Sequence, residues 1–121
     1  METEKYILLV DNYYPMDEIF RQFFRIKGYE ITAASTVRTA LEKIDGKNYE
    51  AAVVDSELPD GTVIEVLSKL KERCPKAKIF VTTLNLNNSL KKSVNKFNID
   101  GVLEKPFRLD TLANLISSKD K

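Results

Sequence analysis

Five short apolar runs recur along the chain, at residues 6–10, 29–34, 51–54, 78–83 and 101–104, and each ends in polar residues. Between them lie stretches whose apolar residues repeat with helical spacing. This alternation constrains the fold more than any other feature, because short continuous apolar runs suit strands buried on both faces by flanking helices. After the first run, Pro15 suits a first helical position. Ile19, Phe20, Phe23, Phe24 and Lys27 then follow the spacing of a wide stripe, and Gly28 stands where a helix ends in left-handed geometry, predicting a helix over 15–27. Ser35 or Thr36 can cap a second helix carrying Val37, Ala40, Leu41 and Ile44. A third carries Val63, Ile64, Val66, Leu67 and Leu70 and stops before Cys74-Pro75, since the residue preceding proline is pushed out of helical geometry. Asn87 or Asn88 can cap a fourth with Leu90, Val94 and Phe97, and Leu109, Leu112, Ala113 and Ile116 mark a fifth. The predicted fold class is α/β: a single doubly wound, five-stranded parallel sheet, (βα)5, with helices on both faces.

The 121 residues fit one domain, expected to span 1–121 with no output domain. A hydrophobic fraction of 43% with 31% charged residues is that of a globular protein rather than a disordered one. The net charge of +1 is spread along the chain, leaving no broad basic field to recruit nucleic acid, and the first apolar run is too short to span a membrane. Cys74 is the only cysteine and histidine is absent, which excludes an internal disulfide and leaves zinc or iron few ligands. A reduced, cytoplasmic setting is expected.

The third run, Ala51-Ala52-Val53-Val54, breaks off in Asp55, followed by Ser56-Glu57-Leu58-Pro59-Asp60-Gly61. In an open α/β sheet, ligands bind beyond the carboxyl ends of the strands. The ends of the first, third, fourth and fifth strands gather Asp11-Asn12, Asp55, Thr82 or Thr83, and Lys105. Singly, Asp55 reads as a turn cap, Lys105 as a surface lysine and Thr82 as a β-branched strand residue. Together they read as a site. Asp11 and Asp55 repel each other unless a cation stands between them, and hard oxygen donors without histidine point to magnesium. Lys105 supplies compensating charge and Thr82 a hydroxyl donor. Tyr13 and Tyr14 either line the rim or pack beside the first helix, and packing is the expectation.

Over essentially its whole length the chain resembles the receiver domain of two-component response regulators. The resemblance rests on Ile7-Leu8-Leu9-Val10-Asp11, Val53-Val54-Asp55-Ser56-Glu57-Leu58-Pro59, Val81-Thr82-Thr83 and Lys105-Pro106-Phe107, in that order and spacing. It implies that Asp55 accepts a phosphoryl group from a histidine kinase or phosphotransfer protein, and that the chain is not an enzyme beyond autocatalytic phosphotransfer and dephosphorylation. Magnesium would be held by Asp11, Asn12, Asp55 and the backbone carbonyl of Glu57. Thr82, or Thr83 if the register differs by one, would bond a phosphoryl oxygen, and Lys105 would pair with another. The Lys105-Pro106 peptide is commonly cis in the family. A downstream protein would meet the fourth helix, fifth strand and fifth helix, where Lys91, Lys92, Lys96 and Arg108 are candidate contacts.

Two positions depart from the family pattern. Asn12 stands where a second acid usually ligates the metal, implying weaker binding. Val102 stands where the family often carries a rotating aromatic ring. These departures give the alternative reading, a degenerate receiver acting as a phosphorylation-independent interaction module. A haloacid-dehalogenase-type phosphatase needs Asp-x-Asp where the chain has Asp11-Asn12-Tyr13, and a flavodoxin-type flavin site needs a Ser/Thr/Gly-rich loop that residues 12–15 lack.

Overall fold

A computed structural model describes residues 4–118. The elements in chain order are β1 (Lys5–Val10), α1 (Tyr14–Ile26), β2 (Tyr29–Ala34), α2 (Val37–Ile44), β3 (Tyr49–Asp55), β4 (Glu57–Leu58), β5 (Gly61–Thr62), α3 (Val63–Arg73), β6 (Lys78–Thr83), α4 (Asn88–Asn95), β7 (Gly101–Glu104) and α5 (Leu109–Ser117). Five strands form one parallel sheet in the order β2-β1-β3-β6-β7, the doubly wound arrangement expected from the alternation.

Side chains alternate along each strand, so every apolar run feeds two cores. Leu8 and Val10 of β1, Ala52 and Val54 of β3, and Ile79 and Val81 of β6 pack on one face with Val37, Ala40 and Ile44 of α2, Val66, Leu67 and Leu70 of α3, and Val94 of α4. Ile7, Leu9, Ala51, Val53 and Phe80 face the other way, against Phe20 and Phe24 of α1 and Leu112, Ala113 and Ile116 of α5. That two-sided burial is why the strands read as continuous apolar runs rather than as alternation.

The helix ends follow the local chemistry. Thr36, not Ser35, caps α2 by accepting a hydrogen bond from Thr39 N at 3.0 Å, and Asn87 caps α4 by accepting from Leu90 N at 2.8 Å. Gly28 takes φ +94° just after α1, which starts at Tyr14 with Pro15 in its first turn. Phe97 lies beyond the end of α4 but still packs against the α2/α3/α4 core.

The small antiparallel hairpin of β4 and β5 is absent from the sequence expectation. It pairs Glu57 with Thr62 and Leu58 with Gly61 immediately after Asp55. Asp60, at its tip, anchors it by accepting from Val37 N (2.7 Å) and Arg38 N (3.1 Å), so that it caps α2 from a distance in sequence. A Cβ at Gly61 would stand 3.2 Å from Val37 Cγ2 and 2.5 Å from Glu65 Oε1, so glycine is what lets the hairpin lie this close.

The backbone bonds from Val37 and Arg38 hold the Asp60 carboxyl below its ordinary pKa. A depressed folded-state pKa gives stability that is present above the unfolded value and lost as pH falls through the folded one. Asp60→Ala is therefore expected to lower the urea midpoint at pH 7, and the gap to wild type should narrow as pH drops below the usual carboxylate range.

Candidate functional site

Three backbone hydrogen bonds continue the sheet one residue past its strands and fix the functional positions. Asp11 N donates to Ala34 O (2.9 Å), Ser56 N to Thr82 O (2.8 Å) and Lys105 N to Thr83 O (2.8 Å). In register, Val10 lies beside Val54, Asp55 beside Thr82, and Thr83 beside Glu104. The residues gathered by sequence reasoning thus share one edge.

Lys105 joins them. Its Nζ donates to Asp11 Oδ2 and to Asp55 Oδ2, each at 3.1 Å. The three side chains are only 14%, 5% and 7% exposed. Each carboxylate uses its other oxygen on the chain just ahead: Asp11 Oδ1 accepts from Tyr13 N (2.8 Å) and Asp55 Oδ1 from Glu57 N (3.0 Å). Burial by itself pulls the Lys105 pKa down, but the bonds and charges of Asp55 and Asp11 outweigh it and leave the ammonium above its ordinary value. One ammonium between two carboxylates leaves a net charge of −1 in a poorly solvated place, a standing attraction for a cation.

Asn12 is exposed and lines a groove of about 750 Å3 together with Asp55, Glu57 and Lys105. The rest of the rim is apolar, including Met16, Leu84, Phe107 and Tyr13, which is 61% exposed. Tyr13 therefore belongs to the rim rather than packing away beside α1; the side chain of Tyr14 lies outside the described residues. The sequence reading missed Leu84 and Met16, whose apolar character alone does not separate a rim residue from a core one.

Strand alternation separates the two threonines. Thr82 follows Phe80 onto the α1/α5 face; its hydroxyl is buried and without a hydrogen-bond partner among the described residues. Thr83 follows Val81 onto the α4 face, which Val102 shares, and its hydroxyl accepts from Asn85 N at 3.1 Å. Val102 sits beside Val81 in register, half-buried. The Lys105-Pro106 peptide is cis.

Among the described residues no three acidic, histidine or cysteine side chains converge closely enough to hold a metal ion by themselves. Asn12 accounts for this: the edge offers two carboxylates, an amide and backbone carbonyls. That oxygen-only set, with a residual negative charge, fits a hard divalent cation held partly by water.

A doubly wound parallel sheet with an acid pair and a lysine at its carboxyl edge defines a class of phosphoacceptor folds, and comparison with known proteins gives the family. The model of the response regulator receiver domain matches residues 7–117, and the chain belongs to that family. It is 28% identical over 111 residues, 90% of its length, to the transcriptional regulatory protein CrdR of Helicobacter pylori, and spans about half of that relative (52%). A CheY-like response regulator receiver domain protein from Methanospirillum hungatei superposes with a TM-score of 0.88 at 26% identity, covering 94% of this chain and 91% of that one. The receiver domain of the sensor histidine kinase PA1611 from Pseudomonas aeruginosa, solved with magnesium coordinated in its active-site cleft, shares the fold at 20% identity with a TM-score of 0.80, covering 94% and 95%.

Removing the ammonium strands two buried carboxylates. Lys105→Ala is expected to cost about 3 kcal/mol at pH 7, read from urea denaturation in metal-free buffer. Because the folded pKa of Lys105 is raised, its stabilising contribution is intact at neutral pH and should disappear only as pH rises through the alkaline range above an ordinary lysine.

Proposed function

We propose that Asp55 accepts a phosphoryl group from the phosphohistidine of a histidine kinase or phosphotransfer protein, and that the chain signals by altering the surface of α4, β7 and α5. The observation that carries this reading is the buried bridge of Lys105 between Asp11 and Asp55. A carboxylate nucleophile needs positive charge beside it to absorb what develops on the phosphoryl oxygens, and Lys105 is already aimed at the attacking group. One oxygen of Asp55 forms the new P–O bond as the P–N bond of the donor breaks. The electron pair stays on the imidazole nitrogen, which takes up a proton. Lys105 then exchanges a carboxylate partner for a phosphoryl oxygen.

Magnesium, when bound by Asp11, Asn12, Asp55 and the Glu57 carbonyl, supplies charge neutralisation to the transferring group. The chain's own part is to hold those donors: Glu57 N fixes Asp55, Tyr13 N fixes Asp11, and the Asp60 anchor fixes the hairpin carrying Glu57. Asn12 brings an oxygen without charge, so weak ion affinity accompanies this reading.

For the phosphoryl-bonding hydroxyl, alternation supports Thr83 over Thr82. In the family the moving threonine exchanges space with the residue standing here as Val102, and Thr83 shares that residue's face. Its hydroxyl is engaged only by a local turn to Asn85, which it can leave. The exposed Lys91, Lys92 and Lys96, with Arg108 paired to Asp110 at 2.7 Å, give the signalling face its charge. Asn12 and Val102 support the second reading, an interaction module indifferent to phosphorylation.

Intact mass after incubation with magnesium and phosphoramidate separates the two readings. Wild type should gain one phosphoryl group and Asp55→Asn none; an unmodified wild type would establish the interaction-module reading instead. Thr82→Val should leave modification intact and stabilise the fold by about 1 kcal/mol, because it removes an unpaired buried hydroxyl. Modification of wild type should change the fluorescence of Tyr13 at the rim, and Thr83→Ala should still be modified but lose that change. Loss of that change in Thr82→Val alone would reverse the assignment.

A further inference from the structure

One buried acidic oxygen stands apart from the cluster bridged by Lys105. Asp17, in the first turn of α1, has Oδ1 buried and without a hydrogen-bond partner among the described residues. It lines a cavity of about 330 Å3 shared with Leu9, Asp11, Asn12, Ala34 and Ser35, on the β2 side of the acidic edge. Among the described residues no lysine or arginine lines that cavity, and Lys105 is taken up by Asp11 and Asp55. Burying an ionised oxygen unpaired is costly, and proximity to a helix N-terminus offsets only part of that cost.

The cavity joins the Asp17 side chain to the two positions, Asp11 and Asn12, that open the proposed metal-binding set. Asn12 is also where that set lacks a charge. Among the described residues no three acidic side chains approach closely enough to ligate an ion jointly, so Asp17 belongs outside the direct ligands. Magnesium keeps several of its waters when protein-bound, and such waters need acceptors. We propose that Asp17 supplies the negative charge that Asn12 withholds, accepting a hydrogen bond from a water of the bound magnesium and so acting as a positioning residue for the ion. This rests on the magnesium-dependent reading of Asp55. A role confined to the α1 dipole would affect stability and leave metal affinity alone.

Magnesium titrations of the full chain, followed by tyrosine fluorescence, test it in wild type, Asp17→Asn, Asp17→Glu and the double variant Asp17→Asn with Asn12→Asp. Loss of an outer acceptor typically weakens metal binding by about tenfold or more. Asp17→Asn should show that loss while melting in EDTA no lower than wild type. Asp17→Glu should keep most of the affinity, and adding Asn12→Asp should restore it. If Asp17→Asn does not fold, Asp17→Ser carries the same expectation. Equal affinity in wild type and Asp17→Asn overturns the proposal while leaving the Asp55 reading standing. Absence of saturable magnesium binding in wild type overturns both.

Discussion

The contact on which the rest depends is one ammonium shared by two buried carboxylates, contributed by the ends of three different strands. Lys105 meets Asp11 and Asp55 at equal distances, and the backbone at Asp11, just after Asp55 and at Lys105 is pinned to a neighbouring strand. A buried ion pair is weak ground for stability, since desolvation consumes most of its Coulombic gain. Its value lies in what it holds together: a carboxylate at a strand end, a cation beside it, and a residual negative charge that invites a second cation.

The sheet makes that arrangement affordable. Both faces are covered, so the site forms at the single edge where strands end and polar groups meet water. The same edge is where the chain departs from regular geometry, with the β4/β5 hairpin tied down by Asp60 and the cis Lys105-Pro106 peptide. Rigid strands and local anchors together fix the donors, and an apolar rim formed by Tyr13, Met16, Leu84 and Phe107 borders them.

Much of this is legible from the residues. Parallel strands buried on two faces must be written as continuous apolar runs, so five of them and their polar ends could be located, and Asp11, Asp55 and Lys105 followed from where the runs stop. Helix stripes were equally plain. The hairpin was not, because two-residue strands carry no periodicity. Asp60 reads locally as a turn residue, and only the fold brings it to the start of α2. The choice between Thr82 and Thr83 depends on which face each occupies, which a run of apolar and β-branched residues leaves open until the strand register is known. Asp17 reads as an ordinary acid in a first helical turn; only the fold sets it across a shared cavity from the ends of β1 and β2, which no local pattern records.

The departures at Asn12 and Val102 are chemical rather than architectural. Neither disturbs the fold: Asn12 leaves the acidic edge without a further charge, and Val102 leaves the space beside Thr83 without a ring. The most direct measurement is a crystal structure of the protein grown with magnesium and beryllium fluoride. The predicted result is a magnesium ion beside Asp11 and Asp55, beryllium fluoride on a carboxylate oxygen of Asp55, and Lys105 turned from that carboxylate to a fluorine. Lys105 still bridging the two carboxylates, with neither ion bound, would contradict it.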